Sequence, residues 1–507
     1  MRYCHLDFIY NAVSNYYEII DYVGKNKLIL IPEFYEGLPV KKINLDAFKH
    51  DSKKVIILNN QIEMIHPFSS DMNDEIVIYQ QESSNVIFDI TPSMIIRKGL
   101  IKVIEDGVLY YALLSDGTAN IIHSDILEFR FESLGRFGEQ ILIEEKIEEH
   151  SIVGIEHYAF MNVINLHAIS IPKTVQWIGR KTFYNVEMLD EIFLQDSVKY
   201  VGYQAFSYCL NLKRVYLMSD QIELEDQVFE NSYRAMLYFA SSKRYMEITS
   251  DFNPDLLPVA LGYEKDIIID SVVYALLDDK TAVVNGLYTN DFIDLNLPDE
   301  VEGYKIVEIA PFAFYQEKLL QSIKMSNNIT AINSGAFAES HIKKITLSNA
   351  LRVIDDALFS GCIYLKSIVI HEGVEIIQEG AFQGCISLSQ VKLPSSIVII
   401  NTSSFARDYR LKNINFPEGL EEIKPYAFSE SNLKDIILPS TLNSIGEMSF
   451  GNITKIKKLS FGNDWININE GAFMGSKVMT CQVKEKEIKH FNDWLEKHIF
   501  NRINIKK

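Results

Sequence analysis

Histidine, cysteine and serine side chains occur throughout this sequence, but none of them has the spacing of a catalytic or metal-binding arrangement. The 11 histidines are scattered and form no H-E-x-x-H motif. The closest conspicuous pair, His150 and His157, stands on a predicted loop before Phe160, where we expect structural or solvent-exposed side chains. No G-x-S-x-G motif is present. The sequence therefore predicts no catalytic residue, no metal and no cofactor.

Two further features superficially suggest chemistry. The run Gly179-Arg180-Lys181-Thr182 is similar to the end of a phosphate-binding loop, but it lacks the earlier glycine, so we interpret it as an ordinary turn. Three of the five cysteines each follow a phenylalanine by three residues, and no C-x2-C pair occurs. We therefore expect a buried column of small apolar side chains at Cys209, Cys362 and Cys385.

Charge and hydropathy exclude several classes of partner. The formal charge is −19, from 49 basic and 68 acidic residues, which opposes binding to nucleic acids and to anionic membrane surfaces. No run of about 18 apolar residues is present, so we expect no membrane insertion. The first residues, MRYCHLDFIYNAVSNYYEIIDY, lack the apolar core of a secretory signal, and the sequence by itself thus predicts a cytoplasmic location.

The chain is built from an internal repeat. Phenylalanine recurs at steps of 22 or 23 residues in two runs. The first run is Phe160, Phe183, Phe206 and Phe229, and the second is Phe314, Phe337, Phe359, Phe382, Phe405, Phe428, Phe450 and Phe473. Five residues before each of these phenylalanines stands an isoleucine, valine or leucine. Such a period predicts a solenoid in which each unit buries its apolar side chains against its neighbours.

Each repeat also contains a predicted strand of the form L-x-x-I-x-L, as in Leu365, Ile368 and Ile370. Its apolar residues point inward, and its third and fifth residues point outward. Identical strands one repeat apart are expected to pair in parallel. A proline often follows the strand, as at Pro394 and Pro439, where it ends the ladder.

This combination, with the A-F-x-G-C motif at Ala381 to Cys385, resembles the BspA-type leucine-rich repeat over most of residues 20–480. The resemblance implies a leucine-rich-repeat solenoid: a curved, right-handed stack with a parallel β-sheet on its concave face. It also implies adhesion to proteins or host surfaces, and hence a cell-surface or secreted location. The chain departs from the commoner leucine-rich repeat, because proline or a polar residue occupies the position that usually carries asparagine or cysteine beyond the strand.

Similar segments interrupt the repeats and predict β-hairpin caps. They are Asp106 to Ile122, with a turn at Ser115-Asp116-Gly117, and Asp270 to Gly286. We therefore predict three blocks, each opened by a hairpin: 1–100 with a short degenerate repeat block, 101–262 with four repeats, and 263–481 with eight. A capping helix is predicted over 482–507, with one apolar face formed by Ile488, Phe491, Leu495 and Ile499.

The outward strand positions define two candidate ligand-binding surfaces. In the third block the outward residues include Lys324, Lys344 and Lys392, which give this surface a local positive charge. In the second block the fifth position carries Phe193 and Tyr216, and a further step of 23 residues leads to Phe239. The lysines could instead serve solubility, and the aromatic residues could pack against each other or under the next hairpin.

These observations favour a non-enzymatic interaction protein, similar to an adhesin, that binds a protein or glycan ligand through its concave face. An intracellular scaffold or regulatory binding protein is the alternative. A third hypothesis, from a different class, is an enzyme with its site in the interruptions near 100–150 or 240–300.

Overall fold

The computed structural model describes residues 6–24, 27–48, 54–66, 76–82, 84, 86–88, 94–124, 139–240, 257–289, 293–462, 466–469, 471–482 and 504–505. These residues belong to two compact units, 1–259 and 260–507. Both units consist of β-strands and tight turns, and the described residues contain a single short 3-10 helix, Leu45–Phe48.

The phenylalanine column forms the centre of each unit. In the first unit Phe160, Phe183 and Phe206 stack with ring centroids 5.0 and 5.1 Å apart and nearly parallel planes. The column in the second unit stacks in the same way, with 5.2 Å between Phe405 and Phe428. The rings are almost completely buried. One phenylalanine at a fixed repeat position therefore brings identical rings into register along the stack, which confirms the predicted repeat.

Two parallel sheets flank this column. We call the sheet of L-x-x-I-x-L strands sheet A. A second sheet, sheet B, contains the apolar residue that stands five positions before each phenylalanine, and many of its strands are only two residues long. The sequence predicts the apolar column of sheet B but not its pairing, because two residues are too few to show an alternating pattern.

In the first unit, sheet A is formed by Leu28–Leu30, Val55–Ile57, Ile76–Tyr79 and Met94–Arg97, and separately by Glu139–Leu142, Leu166–Ser170, Glu191–Leu194, Arg214–Leu217 and Met236–Phe239. Sheet B is formed by Leu6–Asn11, Tyr16–Tyr22, Phe34–Tyr35, Leu38–Asn44, Met64–His66 and Ile87–Phe88, and separately by Leu100–Asp106, Leu109–Leu114, Thr118–Ser124, Lys146–Ile147, His150–Ile155, Trp177–Ile178, Tyr200–Val201 and Glu223–Leu224. The strand Val259–Leu261 lies at the division between the units.

In the second unit, sheet A is formed by Asp294–Asn296, Ser322–Lys324 and Lys344–Thr346, separately by Ser367–Val369 and Gln390–Lys392, and separately by Asp435–Ile437, Lys458–Ser460, Thr480–Gln482 and Asn504–Ile505. Sheet B is formed by Tyr263–Ile269, Val272–Leu277, Thr281–Leu287, Glu300–Val301, Tyr304–Ile309 and Ala331–Ile332, and separately by Val353–Ile354, Ile376–Ile377, Ile399–Ile400, Glu422–Ile423, Ser444–Ile445 and Asn467–Ile468. The repeat of 411–416 contributes a single bridge, Asn413 to Asp435.

Antiparallel hairpins form at both predicted interruptions. Leu109–Leu114 pairs with Thr118–Ser124 around the predicted turn, and Val272–Leu277 pairs with Thr281–Leu287. Each hairpin is extended by one preceding strand that the sequence does not predict. The last strand of each hairpin pairs in parallel with the first repeat strand of sheet B, so the hairpin covers the edge of that sheet.

Two predictions fall mainly outside the described residues. These are Phe68, which stands 20 residues after Phe48 and is the expected second phenylalanine of the first block, and the capping helix over 482–507. Within the latter segment the structure describes Gln482 and the short strand Asn504–Ile505, which pairs in parallel with Thr480–Gln482. The division into three blocks stays a prediction.

The cysteine column is buried as predicted. Each of its thiols also donates a hydrogen bond to the phenylalanine carbonyl of the preceding repeat, as from Cys385 to Phe359 O at 3.1 Å. Ser232 occupies the same position in its repeat and donates to Phe206 O at 2.7 Å. Asp408 occupies it as well, but this side chain is completely buried and neither carboxyl oxygen has a hydrogen-bond partner in the described structure. Burial raises the pKa of the Asp408 carboxyl well above its ordinary value.

Candidate functional site

The outward side of sheet A in the second unit is exposed, as the strand pattern predicts. In Gln390–Lys392 the outer two residues are exposed and Val391 is buried, and the same alternation occurs in Ser367–Val369 and Asp435–Ile437. We call the exposed side chains at the third and fifth positions of these strands, together with their counterparts in the other strands of 322–460, the lysine face. Lys324, Lys344 and Lys392 lie on it, all exposed. Their direction is confirmed, whereas their role in binding stays a prediction.

A second row of lysines, which the sequence reasoning did not single out, runs beside the lysine face. It occupies the second position of L-x-x-I-x-L and consists of Lys343, Lys366, Lys412, Lys434 and Lys457. We call this set the lysine row. Partial burial lowers the pKa of Lys434, and the positive charges of Lys457, Lys412 and Lys455 lower it further. These ammonium groups therefore repel one another. The signal was present in the sequence, since one position carries lysine in five repeats.

The aromatic column of the first unit requires a correction. Phe239 does not continue it: Phe239 pairs with Leu217, whereas Tyr238 pairs with Tyr216. The step between these strands is therefore 22 residues, and the expected outward position of Phe239 is wrong. The physical reason is that both Tyr238 and Phe239 are aromatic, so residue type alone could not choose the register.

The column that does form is Phe193, Tyr216 and Tyr238, with ring centroids 5.3 and 5.0 Å apart. It does not form the exposed strip that the strand pattern predicts. Tyr216 is 3% exposed and Tyr238 is fully buried, while Phe193 is half-buried. Beside the column, Arg214 forms an ion pair with Glu191 at 2.7 Å. Little aromatic surface is therefore open to a ligand at these positions, and the binding role proposed for them stays untested.

A buried polar cluster in the first unit surrounds Glu156, which follows the strand His150–Ile155. Its Oε2 accepts hydrogen bonds from Tyr79 Oη at 2.7 Å and from Arg97 Nε at 3.1 Å. Its Oε1 lies 2.6 Å from His157 Nδ1. Asn120 in turn donates to Tyr79 Oη at 3.0 Å. These contacts join the strands of 76–97 to the repeat that begins at His150.

Glu156 is charged although it is completely buried. Burial by itself would raise the pKa of this carboxyl, but the hydrogen bond from His157 and the charge of Arg97 outweigh it and lower the pKa to about 2. Burial, together with the adjacent Glu156 carboxylate, raises the pKa of Tyr79 well above its ordinary value, so Tyr79 remains a donor. His157 and Glu156 are neighbours in the sequence. The other two partners of Glu156 could not be found by inspection of nearby residues, because Arg97 and Tyr79 lie 59 and 77 positions away in the chain.

A pocket of about 350 Å³ lies next to this cluster. The described residues that line it are three basic side chains, Arg97, His157 and Arg180, two aromatic ones, Trp177 and Tyr200, and Ile95. Arg180, which the sequence places in an ordinary turn, forms a two-pronged ion pair with Glu225 at 2.9 and 3.0 Å. Burial and the hydrogen bond to Glu225 raise the pKa of Tyr200 to about 12.

Three glycines allow the walls of the pocket to lie against the backbone. A Cβ at Gly154 would stand 2.1 Å from Trp177 Cε2, and one at Gly179 would stand 2.6 Å from the backbone nitrogen of His157 and 2.8 Å from its Nδ1. A Cβ at Gly202 would stand 2.7 Å from the backbone nitrogen of Arg180 and 2.9 Å from its Cγ. These distances are far below van der Waals contact, so a larger residue at any of the three positions would displace a pocket side chain or its backbone.

Two features are absent from the described residues, a metal-ligand cluster and a membrane-spanning helix. Among them, no group of three or more histidine, cysteine, aspartate or glutamate side chains could hold a metal ion. No helix in the described part of the chain has the length and apolar character needed to cross a bilayer.

The stacked strand-and-turn repeats, the parallel sheets and the buried phenylalanine column define a leucine-rich-repeat solenoid, which confirms the expected fold class. The profile of the BspA type leucine rich repeat region matches residues 136–250, 287–410 and 375–506, in six copies. These ranges cover more than half of the chain, so the chain belongs to the BspA-type leucine-rich-repeat family.

Several solved structures are similar to this chain. A leucine rich cell surface protein from Faecalibacterium prausnitzii is 20% identical, with a TM-score of 0.39, over 82% of this chain and 94% of that one. A leucine-rich repeat protein from Bacteroides ovatus is 16% identical, with a TM-score of 0.34, over 100% of both chains. One from Eubacterium ventriosum is 16% identical, with a TM-score of 0.34, over 65% of this chain and 94% of that chain. None of the curated proteins matches this chain significantly.

Proposed function

We propose that this chain is a non-enzymatic interaction protein that binds an acidic protein through the lysine face and the lysine row of its second unit. Family membership supports the general class, because leucine-rich-repeat proteins generally bind proteins or glycans. A rigid repeat array holds many side chains at fixed spacing, so little conformational entropy is lost on association.

The concentration of positive charge on sheet A is the observation that carries this proposal. The lysine face includes Lys324, Lys344, Lys392 and Lys458, and the lysine row adds five more lysines. Between residues 322 and 460, where every residue is described, the outward third and fifth positions hold one acidic side chain, Asp435. This surface belongs to a chain with a formal charge of −19.

The mutual repulsion of the lysine row supplies a physical reason for binding. Neighbouring strands lie about 4.8 Å apart, so ammonium groups on successive repeats are held within interaction range. An acidic partner would relieve the repulsion that lowers the pKa of Lys434. Attraction of this kind acts mainly on the rate of encounter and is weakened by salt. Exposed Val369 and Ile437, interleaved with the lysines, offer apolar contact once the partner is docked.

Biolayer interferometry with the immobilised chain tests this proposal. The analytes are poly-L-glutamate, an uncharged polypeptide of the same length, chondroitin sulfate and a DNA duplex. We expect poly-L-glutamate to bind at low salt and the uncharged polypeptide not to bind. Replacement of Lys324, Lys344 and Lys392 by glutamate should slow association at least tenfold and remove most of its salt dependence.

The matched control changes three exposed lysines away from this surface, Lys173, Lys265 and Lys305, to glutamate, which alters the net charge equally. If the control weakens binding as much as the lysine-face variant, the effect is one of overall charge and the proposed surface is wrong. Binding to chondroitin sulfate or DNA without binding to poly-L-glutamate would contradict a protein ligand.

An adhesin-like role at the cell surface is the finer part of this proposal, and it rests on family membership. An intracellular scaffold would use the same surface. Fractionation of the source cells, followed by addition of protease to intact cells, separates the two: a surface adhesin is degraded, whereas an intracellular scaffold is protected until the cells are lysed.

A further inference from the structure

We propose that the pocket beside Glu156 is a second binding site, in the first unit, for a monosaccharide-sized molecule that carries a carboxylate or phosphate group. This site is separate from the lysine face and does not depend on the function proposed for that face. The proposal rests on the shape of the pocket, the charge of its lining and the way in which its side chains are held.

The lining has the chemistry of an anion site. Arginine and histidine are the side chains that recognise carboxylate and phosphate oxygens by charge-assisted hydrogen bonds. Arg97, His157 and Arg180 all reach this pocket, and none of its described lining residues is acidic. Glu156 and Glu225 are not among the lining residues: Glu156 lies fully buried behind Arg97 and His157, and Glu225 contacts Arg180.

Arg97 is held at the pocket by contacts with Glu156 and Trp177. Its Nε and Nη2 are directed at Glu156, at 3.1 and 3.3 Å. Its guanidinium carbon lies 4.8 Å from the centre of the Trp177 ring. The group is therefore fixed on one edge and one face, while its side chain is still 31% exposed. A guanidinium fixed in this way loses little entropy when it binds an anion.

The glycines indicate that the geometry of the pocket is specific. In sheet B the position after the apolar residue carries Glu156, Gly179, Gly202 and Glu225 in four successive repeats. The two glutamates hold the basic side chains, and the two glycines between them make the room in which His157 and Arg180 lie against the backbone. In the second unit this position carries glycine only at Gly446 within the described repeats, so the pair of glycines is not a requirement of the repeat itself.

The volume limits the size of the ligand. About 350 Å³ lies at the lower end of the range of small-molecule sites. Trp177 and Tyr200 provide apolar edges for a sugar ring, and the basic groups would hold its acidic substituent. Carboxylate and phosphate share this chemistry, and a binding experiment with matched sugars distinguishes them.

Isothermal titration calorimetry of the full chain at low salt provides the test, with glucuronate, glucose 6-phosphate and glucose as probes. The three molecules share a ring and differ in charge. We expect at least one of the two anionic sugars to bind and glucose to give no heat of binding. Binding of glucuronate alone assigns the site to carboxylates, and binding of glucose 6-phosphate alone assigns it to phosphates.

Variants connect the binding to this pocket. Arg180→Gln should lower the affinity for the anionic sugar at least tenfold. Arg180→Lys, which keeps the charge, should lower this affinity less. Arg214→Gln is the matched control, because Arg214 also forms a two-pronged ion pair, with Glu191 at 3.0 and 2.7 Å, but lies on sheet A away from the pocket. Circular dichroism of each variant confirms that it is folded.

Three results would overturn the proposal. The first is that neither anionic sugar binds at millimolar concentration. The second is that glucose binds as tightly as the anionic sugars. The third is that Arg214→Gln weakens binding as much as Arg180→Gln.

Discussion

Trp177 lies directly against the backbone of Gly154, its partner in sheet B, with no room for a side chain between them. The two residues are paired in parallel strands, and a Cβ at Gly154 would stand 2.1 Å from Cε2 of the indole. Glycine is not required here for a left-handed backbone conformation, because Gly154 does not have a positive φ. Glycine is needed at this position because the indole of Trp177 occupies the space that a side chain would fill.

Replacement of Gly154 by alanine should therefore displace Trp177 and disturb the Arg97 guanidinium that lies beside it. Such overpacking typically costs about 1–3 kcal/mol. Urea denaturation followed by tryptophan fluorescence measures the loss. Gly37→Ala is a control for the insertion of a methyl group, since no atom lies within 4 Å of the Cβ there, although its positive φ adds backbone strain of its own. An unchanged denaturation midpoint for Gly154→Ala would contradict the close contact.

The second prediction concerns acid stability. The folded pKa of Glu156 is about 2, below its ordinary value of 4.5, so the unfolded chain binds a proton at Glu156 more readily than the folded chain does. The stabilisation from the charged carboxylate is therefore complete above about pH 4.5 and is lost as the pH falls towards 2. Glu156→Gln should be less stable than the parent at pH 7, and this difference should shrink at pH 3. Urea denaturation midpoints of the parent and of Glu156→Gln are compared at both pH values. A difference in stability that is the same at pH 7 and pH 3 would contradict the lowered pKa of Glu156.

The third prediction concerns Asp408, the acidic side chain in the cysteine column. Asp408→Ser supplies a hydroxyl that can donate to the phenylalanine carbonyl of the preceding repeat, as Ser232 does. We expect a gain of about 1–3 kcal/mol at pH 7, the typical cost of an unpaired buried polar group. Because burial raises the folded pKa of Asp408, the parent chain loses stability as the pH rises above the ordinary value of 3.8. The advantage of the serine variant should therefore grow between pH 4 and pH 7.

Asp408→Asn is the control for the third prediction, since it keeps the shape of the side chain but does not titrate. Its stability relative to the serine variant should be independent of pH. A serine variant that is no more stable than the parent at pH 7 would mean that the Asp408 carboxyl forms a hydrogen bond in the folded parent chain.

The fourth prediction concerns the aromatic column. Tyr216 is 3% exposed and lies between Phe193 and Tyr238. Tyr216→Ala should cost about 3–5 kcal/mol, as for other buried aromatic side chains, and hydrogen exchange should rise in the neighbouring repeats. Phe193→Ala should cost less, because Phe193 is only half-buried. Full retention of stability in the double variant would instead favour the exposed binding strip that the strand pattern predicts.

The sequence alone predicts much of the fold, because the same pattern of buried and exposed residues recurs in every repeat. The phenylalanine column, the strand L-x-x-I-x-L and the buried cysteines all lie where their periodicity places them. The outward direction of Lys324, Lys344 and Lys392 follows from the alternation of side chains along a strand. Local pattern is sufficient in these cases, since each repeat contacts only its neighbours.

Tertiary structure decided what periodicity could not express. It placed Tyr238 rather than Phe239 beside Tyr216, because the chain shortens by one residue there and pairing of the strands selects between two aromatic candidates. It also brought Arg97 into contact with Glu156 and Trp177. This arrangement is not repeated along the chain, so the sequence carries no periodic pattern that predicts it. A buried charge needs a partner from any part of the chain that can reach it, and only the folded chain determines which part that is.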